Sequence, residues 1–358
     1  MLHAVVMAGG SGTRFWPQSR RGLPKQFLRL GTQRTLIQET VYRCAPLVAP
    51  QNMWVVAGPT HAQETRRQLP ELGEAQLIIE PCARNTAPAI GLAAIQLLAS
   101  DPDAVMLVVP ADHVITPAAA FHEAARRAVK LVQEHPQGLV LFGVPPTFPA
   151  TGFGYIQRGE LVDPHDHGAR HVAAFKEKPN LITAARYLAS DEYYWNCGIF
   201  VWRARSIYDA LAELAPEIAS RLDRLAPLVG TPDWNAALAD EFPQFPNISI
   251  DYAVLEKARN VYVLPAPFQW DDVGSWQALA RLQKPDADGN VIDGLFCGVE
   301  STGCIIRSSS EHLVTAIGVK DLIIVHTPTA TLVADKRDED AIKKLILEIE
   351  RAGLDRFL

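Results

Sequence analysis

Residues 7–27 read MAGGSGTRFWPQSRRGLPKQF, and the apolar run 2–8 immediately before the glycines has the character of a short buried strand. Glycines 9, 10 and 12 permit tight turns and let backbone N–H groups come close to phosphate oxygens. Arg14 can fork two such oxygens, whereas Lys25 supplies a compact point charge. Two common nucleotide loops do not match. A dinucleotide fold expects G-x-G-x-x-G opening a helix, but here the run is GGSGTR with Pro17 close behind. A Walker loop needs G-x-x-x-x-G-K-[ST], and no such ending follows Gly9 or Gly10.

Outward from this loop the chain alternates between strand and helix character. Strands are expected at 54–57, 77–79, 105–109 and 139–142, with helices at 35–44, 60–69, 87–99 and 118–134. That alternation predicts an α/β fold with a mixed, mostly parallel sheet covered on both faces. The middle of the chain is less regular. Residues 205–241 read as helix broken at Pro216, Pro227 and Pro232, and 249–259 as a further helix. After about Pro285 short strands follow one another at 295–299, 304–306, 313–317, 322–326 and 330–333, and a charged amphipathic helix is expected over 338–351. The reading is therefore a large domain over 1–285 and a small β-rich domain with a terminal helix over 286–358.

Composition sets limits on partners. The chain has 358 residues, 34 Lys plus Arg against 40 Asp plus Glu, and a formal net charge of −6. It lacks the basic footprint of a general nucleic-acid binder, while small phosphorylated substrates remain open. Five cysteines without C-x-x-C spacing make a poor disulfide framework and suit a reducing, cytoplasmic setting. The start MLHAVVMAGG lacks a basic segment and a long apolar core, so no signal peptide is expected, nor is a membrane span.

Three further segments carry candidate chemistry. EPCARNTAPAIG (80–91) follows a strand, and its Asn85 and Thr86 read as ligand contacts or as the N-cap of the next helix; Asn85 can do both. Asp112 leaves the apolar strand in VMLVVPADHVI, at the strand end where open α/β sheets bind ligands. WDDVGSW (270–276) supplies Asp271 and Asp272. Mg²⁺ binds through one or two protein carboxylates together with substrate phosphates, and two such acids meet that need. His113 reads as a residue that orients the loop, and Cys197, lacking a base partner, is not expected to be a nucleophile.

GGSGTRFWPQS followed by PKQF resembles the opening motif of the nucleotide-sugar pyrophosphorylases, with PKQF and RNTAPAI closest to their guanylyltransferase branch. The resemblance implies a Rossmann-like nucleotidyltransferase fold with a C-terminal β-helix-like segment, and a homodimer. It implies that Ala8, Gly9, Gly10, Gly12, Thr13, Arg14 and Lys25 wrap a nucleoside triphosphate, with Asn85 and Thr86 near base and ribose. PADH and W-x-D-V-G-S-W, also landmarks of that family, assign a metal to Asp112 and Asp272 and leave Asp271 aside. GFGYIQ, FKEKPN and YWNCGIFVW occur in the order of the sugar-phosphate half, which places Gly152, Gly154, Glu177, Lys178 and Asn196 around the acceptor. The implied reaction joins GTP to mannose 1-phosphate, giving GDP-mannose and pyrophosphate with Mg²⁺. The catalytic roles then fall on Arg14, Lys25, Asp112 and Asp272. The same chemistry on glucose 1-phosphate with UTP or dTTP, and a nonenzymatic sugar-nucleotide sensor, are the competing readings.

Overall fold

The computed structural model describes residues 1–10, 12–163 and 168–358. The chain forms two compact units, one of Met1–Gly9, Thr40–Ala111 and Ile115–Trp270, the other of Gly10–Glu39, Asp112–Val114 and Asp271–Leu358.

The strands of the first unit's sheet begin with β1 (Leu2–Met7), β2 (Met53–Ala57), β3 (Leu77–Ile79) and β4 (Val105–Pro110). They continue with β6 (Leu139–Val144), β7 (Tyr155–Leu161), β8 (Arg170–Lys176), β9 (Tyr193–Arg203) and β10 (Val261–Pro265). The short β5 (Val114–Thr116) and β11 (Gln269–Asp271) lie where the chain passes from one unit to the other. The nine form one sheet in the order β3-β2-β1-β4-β9-β6-β10-β8-β7. The neighbours β3, β2, β1 and β4 run parallel, as do β6 and β10, whereas β9 pairs antiparallel with β4, β6 and β7. The sheet is mixed, and its parallel part is the half built from alternating strand and helix sequence.

Helix α1 (Leu36–Cys44) closes the segment after the glycine loop, and α2 (Pro59–Gln68), α3 (Thr86–Ser100) and α4 (Ala118–Glu134) are the crossovers of the parallel half. α3 is almost entirely small or apolar and buried along most of its length, the pattern of a helix enclosed by its own unit. It packs with Trp202, Leu211, Leu222 and Phe242 in the principal core. Beyond α5 (Leu181–Ser190), the segment expected to be broken helix is α6 (Ala204–Leu214), α7 (Pro216–Leu225) and α8 (Trp234–Glu241). The helix expected at 249–259 is instead one wide turn over Asp251–Leu255, in which Glu256 N–H donates to Asp251 O across five residues at 2.9 Å.

In the second unit, strands β12 (Val291–Asp293), β14 (Ile305–Arg307) and β16 (Leu322–Thr327) form a parallel ladder, and β17 (Ala330–Asp335) returns antiparallel. β13 (Leu295–Val299) and β15 (Leu313–Ile317) form a second parallel ladder in which Leu295 faces Leu313 and Val299 faces Ile317. Alternate strands pair in separate ladders because each successive coil stacks on the last, which is a β-helix. Cys304, Ile306, Val314 and Ile324 fill its interior. Residues 336–341 form a tight turn, so the terminal helix, α10 (Ile342–Arg351), begins four residues later than its charge pattern predicts; a short α9 (Ala278–Leu282) precedes the β-rich part.

Candidate active site

The second unit contains the residues from Gly10 to Lys25, Asp112 and Asp272, which the sequence reading expects to handle phosphate. Gly12 adopts φ 54°, and a Cβ there would lie 2.4 Å from the Lys25 backbone nitrogen, so only glycine lets the PKQF segment approach this closely. Phe15 and Trp16 follow at once and are buried with Trp276. Phe15 meets Trp276 edge-to-face at 4.9 Å, and Trp276 Nε1 donates to Trp16 O at 3.2 Å. The two tryptophan-bearing motifs therefore fasten to each other, which fixes the loop that carries Asp272 against the loop that carries Arg14. Between Asp272 and Trp276, Val273 is fully buried with φ 46°, a left-handed conformation that a β-branched residue adopts only where packing imposes it.

Lys25 is 6% exposed, and its ammonium lies 2.8 Å from Asp112 Oδ2 while also donating to the Asp272 backbone carbonyl. One cation thus joins the two loops that carry the predicted metal acids. Burial would raise the Asp112 carboxyl, but the Lys25 and His113 charges outweigh it and hold the group below the usual aspartate range. His113 Nε2 lies 3.7 Å from Asp112 Oδ1, consistent with an orienting part. Asp271 is spent structurally, because it accepts from Val273 N–H at 2.7 Å and pairs with Arg281. Asp272 instead keeps its carboxylate without a described partner, and a Cβ on Gly274 would stand 2.8 Å from Asp272 Oδ2 and 3.3 Å from an Arg14 guanidinium nitrogen. Gly274 therefore leaves room for the Asp272 carboxylate and the exposed Arg14 guanidinium beside it. The ammonium meets one carboxylate, that of Asp112, and one backbone carbonyl, that of Asp272, and the carboxylates of these two residues are hard oxygen donors of the kind Mg²⁺ takes.

The first unit assembles a second cluster. A register shift in β6 between Leu141 and Gly143 sets Asn196 opposite Gly143, and Asn196 N–H donates to Gly154 O at 2.8 Å. A Cβ on Gly154 would lie 2.5 Å from Glu177 Oε2, so the glycine is required by the carboxylate beside it. Gly152 has open space around it, and sterics do not demand glycine there. Lys178 sits at φ 45°, which turns its ammonium back to within 2.6 Å of Glu177 Oε1. Desolvation would lower the Lys178 pKa, but the Glu177 carboxylate outweighs it and the net shift is upward.

Asp251 belongs to this cluster although sequence reasoning passed over it. It accepts from Asn196 Nδ2 at 2.9 Å, and burial together with the Glu177 charge pushes its carboxyl up to about 6. An acid in the first turn of an expected helix reads as a cap, which hid it; its partner lies 55 residues earlier. Phe153, Trp195 and Trp270 form an aromatic wall in the same unit, with Phe153 edge-to-face on Trp195 at 5.2 Å and on Trp270 at 5.0 Å.

Asn85 caps α3 by accepting from Thr86 N–H at 2.9 Å, and Thr86 Oγ1 accepts from Ile250 N–H at 2.9 Å. The second bond ties the start of α3 to the segment carrying Asp251. Ala8 ends β1 with its N–H bonded to Val56 O at 2.8 Å, and Gly10 takes φ 104° in the turn that follows, before Thr13 begins a short helical turn. Cys197 is buried, its thiol pushed up to about 12 and donating to Phe142 O, which leaves it inert.

A glycine loop after a parallel strand, a buried lysine held by one carboxylate and one backbone carbonyl, and a separate acid–amide–lysine cluster are groups that an α/β protein acting on nucleoside phosphates and a polyhydroxylated acceptor would need. The pattern of the Nucleotidyl transferase family matches residues 3–289, and that of the MannoseP isomerase/GMP-like beta-helix domain matches 294–349. A mannose-1-phosphate guanylyltransferase of Escherichia coli is 42% identical over 97% of this chain and 73% of its own length. The xanthan biosynthesis protein XanB of Xanthomonas campestris is 37% identical over 98% of this chain and 73% of its own. A solved structure from Thermus thermophilus, described as a mannose-1-phosphate geranyltransferase, superposes with a TM-score of 0.88 at 31% identity, covering 98% of this chain and 99% of that one. The chain belongs to the nucleotidyl transferase family, in its mannose-1-phosphate guanylyltransferase branch.

Proposed function

We propose that this enzyme transfers GMP from GTP to mannose 1-phosphate, releasing pyrophosphate and GDP-mannose. The observation that carries the reading is the Lys25 ammonium held between the Asp112 carboxylate and the Asp272 carbonyl, beside a loop whose Gly12 is sterically obligatory. A sugar 1-phosphate is already an oxyanion near neutral pH, so attack on the α-phosphorus needs no protein nucleophile. The inert Cys197 agrees with that economy. What remains for the protein is to hold the partners in line and to stabilise charge moving onto the leaving pyrophosphate.

Arg14 and the N–H groups of the glycine loop bind the triphosphate, and Lys25 keeps the acid-bearing loops in register. Asp112 and Asp272 would hold Mg²⁺, which when bound neutralises phosphate oxygens. Glu177, Asn196 and Asp251 present acceptors and one amide to sugar hydroxyls, and Lys178 meets the acceptor phosphate. The enzyme works in the cytoplasm; among the described residues no helix is long and apolar enough to cross a membrane. The β13–β15 ladder leaves Leu295, Val299, Leu313 and Ile317 on its open face, which is the surface expected to pair two copies.

Single-turnover transfer from GTP labelled at the α-phosphate tests this reading. The label should pass to a nucleotide sugar containing mannose, with none on the protein. Label retained on the protein, or none transferred to mannose 1-phosphate, overturns it. Light scattering checks the pairing: Ile317→Glu should give a monomer from a dimeric parent.

A further inference from the structure

The second unit contains an open cleft of about 430 Å³ that shares no residue with the site described above. That volume lies in the roughly 300–1,000 Å³ range of small-molecule sites. Arg29 and Gln33 line it from the segment after PKQF, and Gln283, Asp293 and Arg307 line it from the last part of the chain. Gly31, at φ 87°, bends the chain between Arg29 and Gln33, a conformation that favours glycine.

Arg307 is the unusual member. It ends β14 in register with Asp293 at the end of β12, and it is only 8% exposed. Its guanidinium donates to Asp293 Oδ2 at 2.5 Å and to the Arg29 carbonyl, while Nε has no partner. The Asp293 carboxylate is half-exposed, so burial outweighs the ion pair and shifts the Arg307 pKa down. A buried cation compensated this weakly lowers stability until further acceptors reach it. The other donors of the cleft are also open. Among the described residues nothing accepts from the exposed Arg29 guanidinium, and the Gln33 and Gln283 carboxamides make no hydrogen bond.

Two guanidinium groups in one cleft suit an anion, and their planar forks match phosphate oxygens. With Arg307 partly answered by Asp293, the remaining positive charge fits a phosphate ester. The rest of the lining says what the phosphate is attached to. Carboxamides donate and accept, and Asp293 accepts, so hydroxyl groups are met in either sense. No aromatic ring lines the cleft, which leaves a nucleobase no surface to stack on.

We propose that this cleft binds a phosphorylated sugar or polyol, with Arg29 and Arg307 on the phosphate and Gln33, Gln283 and Asp293 on the hydroxyls. The site is separate from the acceptor cluster of Glu177, Lys178 and Asn196, which belongs to the other unit.

Calorimetric titration of the whole chain with glucose 6-phosphate tests this, using the natural protein, Arg29→Ala and Lys178→Ala. Arg29 is exposed and its side chain holds nothing in place, so its variant should fold and should keep the natural transfer rate. The natural protein should bind one equivalent that Arg29→Ala weakens about tenfold or more, the scale of a hydrogen bond between charged groups. Lys178→Ala should leave that equivalent unchanged. Glucose and inorganic phosphate, each offering half of the ligand, should each bind at least about tenfold more weakly than glucose 6-phosphate. Absence of saturable binding, or binding that Arg29→Ala leaves intact, overturns the proposal. Weakening in Lys178→Ala alone places the probe on the acceptor cluster and overturns it too. Inorganic phosphate binding as tightly as glucose 6-phosphate overturns the assignment of the hydroxyl-binding half. None of these results bears on guanylyl transfer, which uses other residues.

Discussion

The two clusters solve opposite electrostatic problems. In the unit containing Lys25, opposite charges are matched before any substrate arrives, since one buried ammonium sits on Asp112 and on the Asp272 carbonyl. In the cluster containing Asp251, two acids, Glu177 and Asp251, act on Lys178 and on each other, and a third, Glu256, accepts from the Glu177 N–H at 3.2 Å. The first arrangement resists disturbance because its buried ammonium and the Asp112 carboxylate answer each other. The second is relieved by taking up a proton. Substitutions in the first should therefore damage structure and chemistry together, whereas those in the second should show as pH dependence and altered acceptor binding.

The largest expected effect comes from breaking the matched pair. Lys25→Ala should lower turnover by about 10²–10³-fold, the scale of losing one preorganised donor. It should also destabilise the fold by about 1–3 kcal/mol, a figure reduced because the Asp112 carboxylate keeps some solvent access. Adding Asp112→Asn should restore part of that stability and none of the activity. Denaturant melts of the full double-mutant cycle measure the coupling, and strictly additive effects would contradict the pairing.

Asp272→Asn separates chemistry from structure in the same unit. Its carboxylate has no described partner, so melting should not change, while turnover should fall about 10²-fold. A Mg²⁺ titration checks the reason: the variant should need more metal to reach its reduced rate.

In the acceptor cluster, Gly154→Ala places a methyl 2.5 Å from Glu177 Oε2 and must push the carboxylate aside. kcat/KM for the sugar phosphate should fall about ten- to a hundredfold. The KM for GTP should stay near its natural value, and an equal rise in both would remove the distinction between the clusters.

Asp251→Asn gives the smallest effect and the one with a pH signature. The natural carboxyl titrates in the folded state at about 6, above the ordinary aspartate value of 3.8. Across that window the folded protein holds a proton that the unfolded chain has released, so folding weakens as pH rises through it. The asparagine, which keeps an oxygen for Asn196, escapes this loss. At pH 7 it should be more stable than the natural protein by about 1–3 kcal/mol, and near pH 4 no more stable. Urea melts at the two values decide, and a gain of equal size at both would show that ionisation is not the cause.

Much of this was legible in the chain, and the failures share a cause. Strands 77–79, 295–299 and 313–317 and helix 118–134 lie where periodicity and turn residues put them, because neighbours in sequence determine those elements. The glycine loop, Lys25 and the two acids were legible as types with a spacing. Their connection was not: the Lys25–Asp112 ion pair and the Trp276–Trp16 bond join residues remote in sequence. Asp251 was hidden because its partner Asn196 comes from a strand whose register is set by a bulge.

Pyrophosphate release from the natural protein, measured across the four nucleoside triphosphates and several sugar 1-phosphates with and without Mg²⁺, tests the central claim most directly. GTP with mannose 1-phosphate and Mg²⁺ should be the fastest combination, and omission of the metal should abolish release. Faster release from UTP or dTTP with glucose 1-phosphate, or no release from any pair, would contradict the account.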